Sequence, residues 1–196
     1  MLEARFVDGR ILMLEPRRLA TRAAAERMAS TLGETVGETV GYRIRGEAKV
    51  GRATRIEIVT EGILTRMIQS DPTLEGVGAV IFDEFHERSL NADLGLALVL
   101  DVRSALREDL VLLVMSATLD AGPVAELMGG APIITSEGKS FPVDTRWLDK
   151  PNPKGQRLEP AMAALIEHAA SKSEGGILAF LPGEREIRQV ASLLSN

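Results

Sequence analysis

The chain has 196 residues, of which 45% are apolar and 26% are charged, and its formal net charge is −5. This composition is that of a globular protein and excludes a disordered or fibrous chain. The lack of cysteine excludes disulfides and thiolate chemistry, two histidines exclude a histidine-rich metal site, and no apolar run reaches the roughly 18 residues of a membrane helix. We therefore expect a soluble, cytoplasmic protein.

The charges are unevenly distributed along the chain. Residues 1–66 contain 12 basic and 9 acidic side chains, whereas residues 67–196 contain 11 and 19. Of the 23 basic residues, 18 are arginines, and arginine suits paired hydrogen bonds to phosphate. The net charge argues against a general polyanion-binding surface, but it leaves room for a local phosphate-binding face in the first third of the chain.

Strand-like and helix-like segments alternate. In chain order, hydrophobic periodicity predicts a strand at 11–14, a helix at 16–32 with Pro16 in its first turn, strands at 42–44 and 56–59, a helix at 61–69 capped by Thr60, a strand at 77–82, a helix at 91–107, a strand at 110–115, a helix at 123–128, strands at 132–135 and 143–147, a helix at 157–171, a strand at 177–181 and a helix at 184–194. This order predicts an α/β fold, with a parallel sheet, right-handed crossovers and helices on both faces.

A domain boundary is predicted at residues 149–155, where two prolines and a glycine stand among charges. Residues 1–148 would form the first domain. Residues 156–196 are near the floor of about 40 residues for an independent core, so we interpret them as the beginning of a second domain.

Polar residues follow four of the predicted strands. They lie at 15–18, 60–62, 83–86 and 116–118. Because ligands of open α/β sheets bind at the carboxyl ends of the strands, we expect these four clusters to form one site.

Asp83 and Glu84 directly follow an apolar strand. Two adjacent carboxylates can divide the work of hydrolysis, because Asp83 can hold a hydrated Mg²⁺ while Glu84 orients or deprotonates a water. A bare Asp-Glu pair would more often cap the next turn. The longer run at 83–88 favours the functional interpretation.

Arg17 and Arg18 fall in the first turn of a predicted helix, where the helix dipole disfavours a cation by about 0.3–1 kcal/mol. Helix-start amides and two guanidinium groups suit a phosphate. Pairing of Arg18 with Glu15, or of Arg22 with Glu26, is an equally good interpretation of these residues alone.

The set of motifs resembles the DEAH-box helicases of superfamily 2. Residues 83–89, Asp-Glu-Phe-His-Glu-Arg-Ser, resemble motif II, and Phe85 in place of the usual small residue resembles a bacterial subgroup. The other resemblances follow in the family's order: residues 14–20 resemble motif Ia, 40–45 the segment after it, 60–64 motif Ib, 116–118 motif III and 178–183 motif IV.

The resemblance implies a RecA-like first helicase domain that lacks its phosphate-loop strand, plus the first elements of a second RecA-like domain. It implies ATP and Mg²⁺ as cofactors. Asp83 would hold Mg²⁺ through water, Glu84 would activate the hydrolytic water, and His86 would couple the nucleotide site to Ser116 and Thr118.

The resemblance also implies a nucleic-acid partner, RNA or DNA, single-stranded or structured, whose backbone motifs Ia and Ib would hold. Arg17, Arg18, Thr60 and Gly62 are the candidate contacts. Thr60 would ordinarily be a plain helix cap, but with Gly62 allowing close approach it also suits a phosphate.

The 196 residues contain no phosphate-binding loop of the form Gly-x-x-x-x-Gly-Lys-Ser/Thr. Gly138-Lys139-Ser140 is not one, because Ile133 stands where the first glycine should be and Pro142 prevents a helix. In the family, that loop precedes motif Ia, and motifs V and VI follow motif IV. We therefore expect a helicase fragment that is inactive without the missing parts of its parent chain.

Two other functions stay open from the sequence. One is a non-catalytic nucleic-acid-binding module that has lost ATP hydrolysis. The other is a nucleotide hydrolase that is not a helicase, which the arginine pair and the motif Ib segment disfavour.

Overall fold

The computed structural model describes residues 7–117, 121–136, 138, 141–148 and 155–195. The chain forms two compact units, Met1–Ser136 and Glu137–Asn196. The predicted boundary at 149–155 lies outside the described residues except for Gly155, and it stays a prediction. No helix in the described ranges is both long enough and apolar enough to span a membrane.

The first unit is built on a six-stranded sheet. Its strands are β1 (Arg10–Glu15), β2 (Val40–Ile44), β3 (Glu47–Lys49), β4 (Ile56–Thr60), β5 (Val77–Phe82) and β6 (Val111–Val114). Their order is β3-β2-β4-β1-β5-β6. All neighbours are parallel except β2 and β3, which form an antiparallel hairpin. The predicted α/β class is confirmed.

Helices cover both faces of this sheet. They are α1 (Arg18–Thr31), α2 (Glu61–Ser70), α3 (Leu90–Ala105) and the short α4 (Gly122–Leu127). Ile11 and Met13 of β1 belong to the apolar cluster under α1, whereas Leu12 and Leu14 belong to the cluster under α2 and α3. Alternate residues of one strand thus enter opposite cores, which explains why residues 11–14 are all apolar.

In the part of the second unit that the structure describes, the chain forms two helices, α5 (Leu158–Ala170) and α6 (Glu184–Leu194). They pack against each other and bury Ala163 and Val190. The bounds of both helices agree closely with the periodicity of the sequence.

Three predicted strands, at 132–135, 143–147 and 177–181, are wrong. These residues are described and have no regular secondary structure. A strand needs a partner to satisfy its main chain, and the described residues offer none to these segments. Apolar side chains there are largely exposed, as Phe180 is at 81%.

Two details at helix starts also differ from the prediction. The first helix begins at Arg18 with Arg17 as its N-cap, so Pro16 precedes the helix instead of lying in its first turn. Thr60 is the N-cap of α2, but its side chain makes no capping hydrogen bond.

The strand β3 was not predicted, because Glu-Ala-Lys carries no strand pattern.

Candidate functional site

The strand register gathers the predicted polar clusters at one edge of the sheet. Leu14 lies opposite both Val59 and Phe82, and Phe82 lies opposite Val114. The residues that follow these positions therefore share the carboxyl edge of the sheet. As expected, three of the four clusters begin side by side there, and the fourth, 116–118, begins just beyond β6.

The segment after β5 forms a tight turn held by main-chain hydrogen bonds. The Asp83 N–H donates to the Leu14 carbonyl at 3.1 Å, and the Phe85 N–H donates to the Met115 carbonyl at 3.1 Å. A single 3-10 turn spans Phe85–Glu87, and the residues on either side of it, Glu84 and Arg88, have φ angles of 49° and 48°. Such left-handed conformations are strained for residues other than glycine and concentrate at functional sites.

Phe85 anchors this turn in the core. Its side chain is buried, and its ring meets Phe82 edge-on, with centroids 6.0 Å apart and an 88° angle between the planes. The Arg88 guanidinium lies 5.8 Å from the centroid of the Phe85 ring. The residue that departs from the usual motif is therefore an apolar anchor for the turn.

A cluster of carboxylates surrounds Asp83. The Glu15 side chain at the end of β1 lies beside Asp83, and the residue is only 7% exposed. Burial, followed by the negative charge of Asp83, raises the pKa of Glu15 to about 7, with smaller contributions from Glu84 and Glu87. The sequence placed Glu15 in the polar edge and offered it only as a possible partner of Arg18. The available signal for its interaction with Asp83 was that both residues directly follow the last apolar residue of a predicted strand.

His86 connects the turn to the segment after β6. Its Nδ1 accepts a hydrogen bond from the Ala117 N–H at 3.3 Å and lies 3.4 Å from Oε2 of Glu84. Ser116 is adjacent in the chain to Ala117, whereas Thr118 lies outside the described residues. The contact that the resemblance implied between His86 and the 116–118 segment is thus made through main chain at Ala117.

Arg17 and Arg18 are both exposed at the start of α1, which has no acidic residue in its first turn. The Arg17 guanidinium forms an ion pair with Glu87 at 3.0 Å. The Arg18 guanidinium donates to the Arg45 carbonyl at 3.3 Å. The pairing of Arg18 with Glu15 is therefore not formed.

The other open pairing, Arg22 with Glu26, is also replaced. Arg22 forms its ion pair with Glu47 of β3 instead. The partner lies 25 residues away in sequence, on a strand that the pattern did not reveal.

The start of α2 presents Gly62 to solvent. A Cβ atom added at Gly62 would meet no atom within 4 Å. Its neighbour Glu61 is buried and accepts a hydrogen bond of 2.7 Å from the Ser89 hydroxyl, which also caps α3 by accepting from the Ala92 N–H. The segments 14–20 and 60–64 are thus each bonded to the segment 83–89.

Comparisons with known proteins agree with this arrangement. No family model matches the chain. The chain is 53% identical over 97% of its length to the ATP-dependent RNA helicase HrpB of Escherichia coli K12, and it spans 23% of that protein. It is 36% identical over 95% of its length to the ATP-dependent RNA helicase HrpA homolog of Haemophilus influenzae, and it spans 14% of it.

Solved structures give the same result. A crystal structure of the E. coli DEAH/RHA helicase HrpB matches 99% of this chain with a TM-score of 0.91 and 53% identity, and the chain covers 25% of it. A crystal structure of the E. coli DExH-box NTPase HrpB matches with a TM-score of 0.77.

The fold defines the class of this protein, an α/β RecA-like domain that matches the solved structure of a DEAH/RHA helicase. Within that class, the chain is similar over nearly its whole length to the ATP-dependent RNA helicases HrpB and HrpA. It spans less than a third of the length of these relatives.

Proposed function

We propose that the chain is part of an ATP-dependent nucleic-acid helicase, in which one edge of the sheet serves both ATP hydrolysis and nucleic-acid binding. The observation that carries this proposal is the direct bonding of segment 83–89 to both candidate nucleic-acid segments, through Arg17–Glu87 and Glu61–Ser89. The names of HrpB and HrpA support RNA as the nucleic acid. Residues 1–148 would belong to the first RecA-like domain and 156–196 to the second.

The carboxylates of the edge fit a nucleotide-bound Mg²⁺. Burial is the main cause of the raised pKa of Glu15, and the negative charges of Asp83, Glu84 and Glu87 add to it; a divalent cation would relieve that concentration of negative charge. Among the described residues, no group of three or more His, Asp or Glu side chains is arranged to hold a metal directly. This fits Mg²⁺, which is usually held by one or two carboxylates together with waters and substrate phosphates.

Each of the candidate catalytic residues has a role in this proposal. Asp83 would hold Mg²⁺ through water, and the ion would supply neutralisation of the triphosphate charge. Glu84 would orient and deprotonate the attacking water. His86, bonded at Ala117, would pass changes at the nucleotide site to Ser116 and Thr118.

The nucleic-acid backbone would lie across the starts of α1 and α2. Arg17 and Arg18 supply exposed guanidinium groups, and Thr60 and Gly62 supply a hydroxyl and an open backbone. These groups recognise phosphate rather than bases. Binding should therefore be weak, indifferent to sequence and steeply dependent on salt.

Fluorescence anisotropy with a labelled single-stranded RNA tests this proposal. The double variant Arg17→Ala/Arg18→Ala should bind more weakly at low salt. Its log–log salt slope should be shallower by about 1.4, because each phosphate contact on a single strand contributes about 0.7. The matched control is Arg52→Ala/Arg55→Ala, an equal loss of charge at the amino end of β4. Equal binding by the parent and the Arg17/Arg18 variant would refute the proposed contacts.

A second candidate function is a nucleic-acid-binding module without catalysis. The observation that favours it is the lack of a Gly-x-x-x-x-Gly-Lys-Ser/Thr loop in the 196 residues. Both candidates predict RNA binding, but they differ over ATP hydrolysis. The helicase candidate predicts hydrolysis by a longer chain that includes such a loop, and the binding-module candidate predicts none.

A further inference from the structure

We propose that Glu87 is an internal competitor for the phosphate site at Arg17. In this account, the Glu87 carboxylate occupies the Arg17 guanidinium when no nucleic acid is bound, and a backbone phosphate displaces it. The inference rests on the proposed function, because it assigns a regulation to the same nucleic-acid face.

The first argument for this competition is the geometry of the ion pair between Arg17 and Glu87. Nη2 of Arg17 lies 3.0 Å from Oε1 of Glu87, although the two residues are 70 positions apart in sequence. A guanidinium recognises carboxylate and phosphate with the same fork of N–H donors. Glu87 therefore holds part of the donor set that a phosphate would use, and its negative charge repels a phosphate at that place.

The second argument is that both side chains of the ion pair are exposed to solvent. The side chains of Arg17 and Glu87 are 73% and 32% exposed, so water and salt reach both partners. Exposed ion pairs are weak, and a polyanion can exchange with Glu87 at little cost. The contact should therefore lower affinity for nucleic acid by a small factor without blocking the site.

Replacement of Glu87 by a phosphate at Arg17 would also change the restraint on the turn after β5, because Glu87 is part of that turn. Glu87 is the last residue of the 3-10 turn that begins one residue after Glu84 and contains His86. When phosphate takes Arg17, this end of the turn loses its tie to the start of α1. The turn keeps its ties at Phe85 and at Ser89. Nucleic acid bound at α1 thus changes the restraint on the segment that carries the candidate catalytic carboxylate.

The test is a double-mutant cycle read by anisotropy with labelled single-stranded RNA, using the full 196-residue chain. Glu87→Gln should bind about two- to five-fold more tightly than the parent at low salt, the range expected from the strength of exposed ion pairs. The gain should shrink as salt rises. Glu87→Asp, which keeps the charge but shortens its reach, should give a smaller gain.

Two controls isolate the contact from general charge. Glu75→Gln makes the same change of charge at an exposed position before β5, at the opposite edge of the sheet, and should leave binding unchanged. In an Arg17→Ala background, the gain from Glu87→Gln should shrink to the small part that comes from removing a repelling charge. An equal gain with and without Arg17 would overturn the inference, because Glu87 would then act only through long-range repulsion.

The remaining outcomes separate the inference from the proposed function. If Arg17→Ala/Arg18→Ala weakens binding while Glu87→Gln matches the parent, the competition is wrong and the nucleic-acid face stands. If the arginine variant binds as well as the parent, or if the parent does not bind RNA at low salt, both proposals fail.

Discussion

Glu15 shows most directly how the fold changes the chemistry of a single residue. A glutamate at the end of an apolar strand would be ionised in water at neutral pH. Here it is buried beside Asp83, and both the burial and the neighbouring carboxylate raise its pKa. The protonated form of Glu15 is therefore favoured up to about pH 7 in the folded chain without bound metal.

This protonation predicts a dependence of stability on pH. The pKa of Glu15 is about 7 in the folded chain against 4.5 as the ordinary value, so the stabilisation is present in full below pH 4.5 and is lost as the pH rises through 7. Glu15→Gln keeps a donor to Asp83 but cannot ionise. In Mg²⁺-free buffer, it should match the parent at pH 4 and exceed it by about 1–3 kcal/mol at pH 8.

Urea denaturation at a series of pH values measures this difference. Glu75→Gln, at an exposed position, should follow the parent throughout. A stability gap between Glu15→Gln and the parent that stays constant from pH 4 to pH 8 would show that Glu15 does not titrate in this range.

Gly62 offers a substitution that should separate stability from function. The residue lies in the first turn of α2 without a positive φ, and an added Cβ meets open space. Gly62→Ala should therefore raise the free energy of unfolding by about 0.4–1 kcal/mol. If a phosphate approaches the backbone there, the same change should weaken RNA binding in the anisotropy assay. Unchanged binding by a more stable variant would remove Gly62 from the proposed site.

The sequence could not predict which charged side chains of the site form ion pairs with each other. The motif pattern placed Asp83, His86 and Arg17 at the correct edge, because strand ends are set by local hydrophobic patterning. The partner of Arg17 lies 70 positions away and that of Arg22 lies 25 away. Such pairs depend on strand order and on how the turn after β5 is bent, and neither can be read from local spacing.

At the level of elements, periodicity predicted helices better than strands. Helices such as α6 (Glu184–Leu194) satisfy their own main chain, so a local pattern is sufficient to predict them. A strand at 177–181 has an equally apolar pattern, but it would need a partner strand. The central strand β5 (Val77–Phe82) was predicted to the residue because it has a partner on each side.

The turn after β5 depends on Phe85 as its anchor. Phe85→Ala should lower the free energy of unfolding of the first unit by about 3–5 kcal/mol, because it leaves a cavity against Phe82. Phe180→Ala, at an exposed position in the second unit, should change stability by less than about 0.5 kcal/mol. Urea denaturation followed by circular dichroism gives both values, and a Phe85→Ala loss below 1 kcal/mol would contradict the anchoring role.

At the level of the whole molecule, a cluster of carboxylates around Asp83 lies at the same edge of the sheet as two exposed arginines, Arg17 and Arg18. Hydrolysis also requires amides and a lysine that cradle the triphosphate, and a cation that opposes charge in the transition state. The 196 residues contain no Gly-x-x-x-x-Gly-Lys-Ser/Thr loop to supply the cradle. We therefore propose that this polypeptide carries the nucleic-acid face and part of the catalytic site of a helicase, and we expect these 196 residues alone not to hydrolyse ATP.

Phosphate release from ATP and Mg²⁺, with and without single-stranded RNA, tests this claim most directly. The 196-residue chain and its Glu84→Gln variant should both release phosphate at the background rate, because these residues contain no Gly-x-x-x-x-Gly-Lys-Ser/Thr loop to cradle the triphosphate. Release above background by the parent chain that disappears in Glu84→Gln would contradict the account, since it would require a complete triphosphate site within these residues.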